Sequence, residues 1–259
     1  GVVLSFAASP PVAERIGVET YHFVQRQAFF AVPAVVVLVA VSFLTPPQVR
    51  ATAAVLFAVF FLLLIATLFF GVEVKGSRRW ITLLGMSIQP SEFIKPAFAV
   101  LVAFLLAEGE RRPGFPGRLL AILMLAMTLA PLVAQPDFGQ AMLVAIVWGA
   151  MFFLAGLSWF LTILLAALGV AGLAGAYFLL PHVASRINRF LDPDSGDSFQ
   201  VETALDAFIT GGWFGRGPGE GTVKRILPDS HTDFVFAVTA EEFGIIACGL
   251  VMLLFAFVL

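Results

Sequence analysis

The chain has 259 residues, 60% of them hydrophobic and 12% charged, with a formal net charge of −2 and a mean hydropathy of +0.98. A soluble domain carries roughly twice that charged fraction, so a soluble globular core is excluded, and without a basic excess no nucleic-acid partner is expected. One cysteine, Cys248, excludes an intrachain disulfide.

In chain order, the first residues, Gly1 to Ala8, are apolar but too short to span a bilayer and carry no initiator Met. They read as a half-span, followed by a polar connection, Ser9–Gln27. Apolar blocks then occupy Ala28–Leu44, Ala51–Gly71, Ser91–Ala107, Leu119–Ala134, Ala141–Leu157 and Trp159–Leu180. Each approaches the roughly 20 residues that a helix needs to cross about 30 Å of hydrocarbon. No segment shows the apolar/polar alternation of a membrane barrel. The expected fold is an all-α polytopic membrane bundle. The last apolar run, Ile245 to Leu259, has no polar cap, so both ends read as cut. No cleavable signal peptide is visible. Residues 1–259 read as a single transmembrane domain, truncated at both ends, with residues 181–233 inserted as a long loop. Over the short loops, positive charges number five on one side (Arg15, Arg26, Lys75, Arg78, Arg79) and four on the other (Arg50, Arg111, Arg112, Arg118), which leaves orientation open.

The inserted stretch, Pro181 to Asp233, holds eight carboxylates and five Lys/Arg residues. Chemistry on a water-soluble group is expected there. Val201–Thr210 reads as a short interfacial helix. Gly211 to Gly221 packs six glycines into eleven residues, which permits positive φ and close backbone approach to a ligand, or a flexible re-entrant connection. It matches no Walker or dinucleotide fingerprint.

Asp233 is the first candidate for catalysis. It follows Leu227-Pro228-Asp229-Ser230-His231-Thr232 and precedes an apolar helix, where a partly desolvated carboxylate can serve as a general base. Capping of that helix by Thr232 or Asp233 is the alternative. His231 is a second possible base, or a hydrogen-bonding residue. Lys75-Gly76-Ser77-Arg78-Arg79-Trp80 suits a phosphate or diphosphate at a membrane surface, or an interfacial anchor. Glu92 and Lys95 share a helix face and can neutralise one another. Asp137 follows Gln135-Pro136 and can cap the next helix. Glu241 and Glu242 sit inside the last span, where ionisable groups usually face a cavity or each other. The histidines His22, His182 and His231 show no metal-ligand spacing.

Five stretches together resemble the SEDS family of bacterial cell-wall polymerases, the FtsW/RodA group. They are His22-Phe23-Val24-Gln25-Arg26-Gln27, Gly76-Ser77-Arg78-Arg79-Trp80-Ile81, Gln89-Pro90-Ser91-Glu92-Phe93-Ile94-Lys95, Gln135-Pro136-Asp137-Phe138-Gly139, and Pro228-Asp229-Ser230-His231-Thr232-Asp233-Phe234. Glu241-Glu242-Phe243-Gly244 follows, and Thr239-Ala240-Glu241-Glu242 is closer to the division-type branch, FtsW. The resemblance implies about eight of ten family helices, with the long loop between the seventh and eighth. The family's glycine- and serine-rich segment before the ninth helix is missing. Many members carry a basic residue just ahead of Ile88-Gln89-Pro90, where this chain has Ser87.

The implied function is glycan polymerisation from lipid II, a disaccharide-pentapeptide joined through a diphosphate to a polyprenyl chain. The implied location is the bacterial cytoplasmic (inner) membrane, with the long loop on the periplasmic side. Asp233 takes the place of the family's essential aspartate, as the base of an inverting glycosyltransferase. Arg78, Arg79, Trp80, Glu92, Lys95, Asp137, Arg186, His231 and Glu242 are the implied substrate-binding residues. No cofactor is required by the sequence; Mg2+ or Mn2+ is admitted as a hard cation on the diphosphate. Implied partners are a single-pass class B penicillin-binding protein and other divisome proteins. Two rival readings remain, a lipid II flippase and a non-catalytic scaffold for a transpeptidase; the absence of inverted-repeat halves speaks against the first.

Overall fold

The computed structural model describes residues 2–74, 77–83, 86–179, 181–191 and 198–259. These residues form two compact units, one of residues 1–40 and 175–259 and the other of residues 41–174.

The second unit is a helical stack with a small sheet at one end. Its helices are α3 (Pro46–Phe70), α4 (Pro90–Arg111), α5 (Gly117–Ala134) and α6 (Phe138–Leu154). The N-terminus of α3 is fixed locally, because the Gln48 side chain accepts a hydrogen bond from the Thr45 amide at 2.9 Å. Leu64, Ile94, Phe98, Val102, Leu132, Val144 and Phe152 form its core. Trp148 is buried in the same core and donates its indole N–H to the Ala121 carbonyl at 3.0 Å. Helices α4 and α5 cross closely at glycine: a Cβ on Gly117 would sit 2.0 Å from the Leu105 carbonyl oxygen.

Between α3 and α4 the chain forms an antiparallel meander of β1 (Val72–Val74), β2 (Ser77–Leu83) and β3 (Met86–Ile88). Its register pairs Glu73 with Arg78 and Thr82 with Ser87. The short loop expected between the apolar blocks Ala51–Gly71 and Ser91–Ala107 is therefore a sheet. The local signal was present: β-branched and aromatic residues run through Val72–Ile88, broken in the sequence by dipeptides that each end in glycine.

The first unit contains α1 (Val2–Ile16) and α2 (His22–Ser42, whose last turn passes the unit's boundary), together with the end of α7 (Trp159–Leu179). After these come α8 (Pro181–Leu191), α9 (Ser198–Gly211), a 3-10 turn (Val223–Arg225) and α10 (Val235–Val258). The expected connection Ser9–Gln27 is largely helical, because α1 continues through Pro10 and Pro11 as far as Ile16. Ala7 and Ala8 of α1 lie against Val238 of α10. Their small side chains allow the two backbones to approach. Ala207 of α9, Leu227 and Ala237 of α10 make a separate small core. The long polar stretch is therefore mostly folded. The expected helix over Val201–Thr210 is α9, and α10 begins ten residues before Ile245.

Helices α2, α3, α4, α5, α7 and α10 are long and apolar enough to cross a membrane, and α6 is a shorter apolar helix. None of the hydropathy window of α7 is buried within the protein, and only 6% of that of α2. Exposed Val, Leu and Phe side chains in such numbers need hydrocarbon around them. The chain is a multi-pass membrane protein.

Candidate functional site

In the first unit, the turn ahead of α10 is set by one backbone carbonyl. Asp229 adopts a left-handed φ of 50°. Its carbonyl accepts from the amides of Thr232 at 3.1 Å, Asp233 at 3.0 Å and Phe234 at 3.3 Å, and from the Thr232 hydroxyl at 3.2 Å. Leu227 and Ser230, both fully buried, hold the turn from beneath. Asp233 is lifted into an exposed position, where its carboxylate makes no hydrogen bond or ion pair among the described residues. Capping does not account for it: the N-cap is Phe234, and no side chain caps the helix. An exposed, uncommitted carboxylate at a helix mouth is placed to accept a proton from a bound hydroxyl group.

His231 lies beside this carboxylate in the chain, its ring tilted against Phe23 with centroids 4.5 Å apart. Its Nδ1 is buried without a partner among the described residues. Burial lowers the imidazole pKa below its ordinary value, with Asp229 raising it, Arg15 lowering it and Asp233 raising it in turn. The unfolded chain therefore binds a proton more readily than the folded one, and stability falls as pH drops through the ordinary histidine range, around 6.5. Between about pH 7 and about pH 5, thermal unfolding should show wild type losing more stability than His231→Gln.

The first turns of α10 carry a buried charged cluster. The Glu241 carboxylate accepts the amides of Thr222 at 2.5 Å, Val223 at 2.7 Å and Lys224 at 3.0 Å, which fastens the 3-10 turn to α10. These donors are the free amides at the start of a helical turn, a natural seat for an anion. Glu242 is ion-paired to Lys224, whose ammonium also donates to the Ala7 carbonyl at 3.1 Å. Both Glu242 and Lys224 are buried. Glu242 thus points into the protein, toward Lys224, a residue that the sequence did not single out.

At Gly244, α10 is broken by a φ of 80° and a ψ of 173°. The amides of Ile245 and Ile246 lose their partners one turn back and donate instead to the carbonyls of Gly212 at 2.9 Å and Trp213 at 3.4 Å. The carbonyls of Glu241 and Glu242, left over by the same break, accept from the amides of Arg216 at 2.9 Å and Gly217 at 3.0 Å. The glycine-rich run is therefore a clasp that completes a broken membrane helix. Its closeness excludes side chains, since a Cβ on Gly215 would lie 2.2 Å from the Glu242 carbonyl oxygen.

In the second unit, Arg79 on β2 donates to the Pro136 carbonyl at 3.0 Å and pairs with Asp137 at 3.5 Å. Asp137 occupies the N-cap of α6 without capping it, and its second carboxylate oxygen is buried and has no partner among the described residues. Gln135 is buried, donating to the Leu64 carbonyl at 2.8 Å and to the Thr67 hydroxyl. Glu92 and Lys95 are paired at 2.6 Å, and Gln140 donates to Glu92 at 2.7 Å. Arg78, adjacent in a strand, projects to the other face of the sheet and pairs with Glu73 at 3.4 Å. The two guanidiniums therefore do not form one clamp. Trp80 is half-exposed on the same strand. Lys75 and Gly76 lie outside the described residues; Arg186 lies on α8, with its side chain outside them. Gln135, Gln140 and Lys224 are the polar residues that sequence reasoning missed as partners; Gln135 alone had a local signal, the Gln-Pro-Asp triplet.

A family model described as a cell cycle protein, grouping FtsW, RodA and SpoVE, matches residues 1–259. A probable peptidoglycan glycosyltransferase FtsW of Caulobacter vibrioides (strain NA1000 / CB15N) is 44% identical over the whole of this chain and 66% of its own length. The corresponding protein of Aliivibrio salmonicida (strain LFI1238) is 34% identical, again over 66% of its length. The chain thus spans just under two thirds of these curated relatives. Among solved structures, a peptidoglycan synthase complex that coordinates polymerization and crosslinking matches 98% of this chain and 72% of its own, at 27% identity and a TM-score of 0.66. The rod shape determining protein RodA of Thermus thermophilus shares the fold, with a TM-score of 0.62 at 23% identity over 99% of this chain and 68% of its own.

Proposed function

Because this chain belongs to the cell cycle protein family that unites FtsW, RodA and SpoVE, we propose that the whole protein is a peptidoglycan glycosyltransferase that polymerises lipid II at the outer face of the cytoplasmic membrane. The observation that carries this reading is the Asp233 carboxylate, exposed and without a hydrogen bond or ion pair among the described residues at the mouth of α10. In the proposed step, Asp233 takes the proton of the acceptor sugar's 4-hydroxyl as that oxygen attacks the anomeric carbon of the donor. The bond to the diphosphate breaks, polyprenyl diphosphate leaves with the electron pair, and the α-linkage becomes β.

Arg79 and Lys95 are the candidates for binding the diphosphate. Each is already paired, with Asp137 and Glu92, so the ligand would compete with these carboxylates for its cations. Among the described residues no three His, Cys, Asp or Glu side chains gather into a cation cage, and no step is routed through Mg2+ or Mn2+. A class B penicillin-binding protein is the proposed partner, with other divisome proteins around it. The proposed orientation puts the turn before α10 on the periplasmic side.

A discontinuous membrane helix is also a transporter feature, because its free backbone ends can hold a substrate. Here those groups at Gly244 are taken by the glycine clasp, which favours the enzyme over the flippase. The test is lipid II polymerisation by the full-length protein with its transpeptidase partner. Wild type is expected to make long glycan strands and Asp233→Asn to lose activity by about 100-fold or more, with its melting temperature and partner binding unchanged. Normal polymerisation by the variant would remove Asp233 from the site. Lipid II movement between leaflets without polymer, even by wild type, would put the flippase in first place.

A further inference from the structure

A cleft of about 500 Å3 opens between the N-terminus of α3 and the C-terminal part of α4, at the ends of these helices opposite the β-meander. Val49, Val100 and Phe104 form part of its apolar wall, and Arg50, Glu108 and Arg111 bring charge to it. Arg50 lies over the Phe104 ring, 4.7 Å from its centroid. Among the described residues only its Nε–H donates, to the Pro46 carbonyl at 3.3 Å, which leaves both terminal nitrogens available. Arg111 is exposed, and its guanidinium has no ion pair among the described residues. Glu108 is already countered by Arg112 at 2.5 Å.

We propose that this cleft binds an anionic phospholipid, with the phosphate between Arg50 and Arg111 and the start of an acyl chain along Val49, Val100 and Phe104. Charge complementarity selects the occupant. Two uncommitted guanidiniums suit a phosphate oxygen fork, and they sit where the apolar runs of α3 and α4 give way to polar residues, the level at which headgroups lie. A zwitterionic lipid would bring its own cation against the two arginines. Free phosphate would leave the apolar wall uncovered. The site uses none of the residues assigned to the proposed reaction and does not depend on that reading.

The test is lipid retention by the full-length protein in detergent, read by native mass spectrometry, with dioleoylphosphatidylglycerol and dioleoylphosphatidylcholine as probes. Wild type is expected to hold the phosphatidylglycerol selectively, and R50Q/R111Q to hold it roughly tenfold or more weakly at an unchanged melting temperature. Equal retention of the two lipids by wild type, or equal retention of phosphatidylglycerol by the double variant, would overturn the site. So would displacement of the lipid by millimolar inorganic phosphate, which would make it a free-phosphate site. If R50Q/R111Q fails to fold, Glu108→Gln decides. It removes the one repelling carboxylate at the cleft and should raise phosphatidylglycerol retention; unchanged or lower retention refutes the proposal.

Discussion

Lys224→Met should destabilise the protein by about 3–5 kcal/mol, the usual result of leaving one half of a buried ion pair without its partner. Glu242 and Lys224 have side chains that are 0% and 5% exposed, so water cannot replace the lost ammonium. One oxygen of Glu242 already has no partner among the described residues, so none of them offers a spare donor. The substitution also takes away the hydrogen bond to the Ala7 carbonyl, the link from the 3-10 turn to α1. The double variant Lys224→Met/Glu242→Leu should recover most of the loss, because buried pairs are often replaceable by apolar side chains of similar volume. Thermal unfolding of the two variants in detergent measures this difference directly. Equal destabilisation by both would show that shape, rather than the uncompensated carboxylate, dominates.

Gly244→Ala should cost about 3 kcal/mol or more. An alanine at a φ of 80° and a ψ of 173° is strained by roughly 1–3 kcal/mol. Its Cβ would also stand 2.3 Å from the Trp213 carbonyl oxygen, so the clasp must withdraw. Each clasp hydrogen bond lost in the process adds about 1 kcal/mol. Gly249→Ala, five residues on in the same helix, is the control. Nothing lies within 4 Å of a Cβ there, and alanine should be neutral or stabilising by up to about 1 kcal/mol. The melting temperatures of the pair separate a backbone requirement from ordinary helix propensity.

The membrane helices were legible because each apolar block is long enough to declare itself; the ends of α3 to α7 moved by only a few residues, whereas α10 begins ten residues before its apolar run. The place of Asp233 just ahead of α10 was legible too, as an acid set between a proline turn and an apolar run. The capping alternative fell only to coordinates, since Thr232 and Asp233 both have the chemistry of a cap. Lys224 was invisible for a physical reason: its partner lies 18 residues away, beyond a turn whose path no local pattern specifies. The glycine run signalled close approach correctly, but composition could not say that the approaching surface was α10 rather than a ligand. Adjacent arginines at 78 and 79 looked like one cationic patch until strand alternation placed them on opposite faces.

The clasp also bears on how this protein is made. Residues 211–217 leave the ribosome before residues 241–246, so the piece that completes the broken helix is synthesised ahead of the break. Four backbone groups around Gly244 would otherwise enter the bilayer without partners, each at a cost of several kcal/mol. Membrane insertion of α10 and docking of the upstream loop are consequently a single step. A variant that weakens the clasp would first be seen in the cell as a poorly inserted, rapidly degraded chain, well before any purified sample revealed a lower melting temperature.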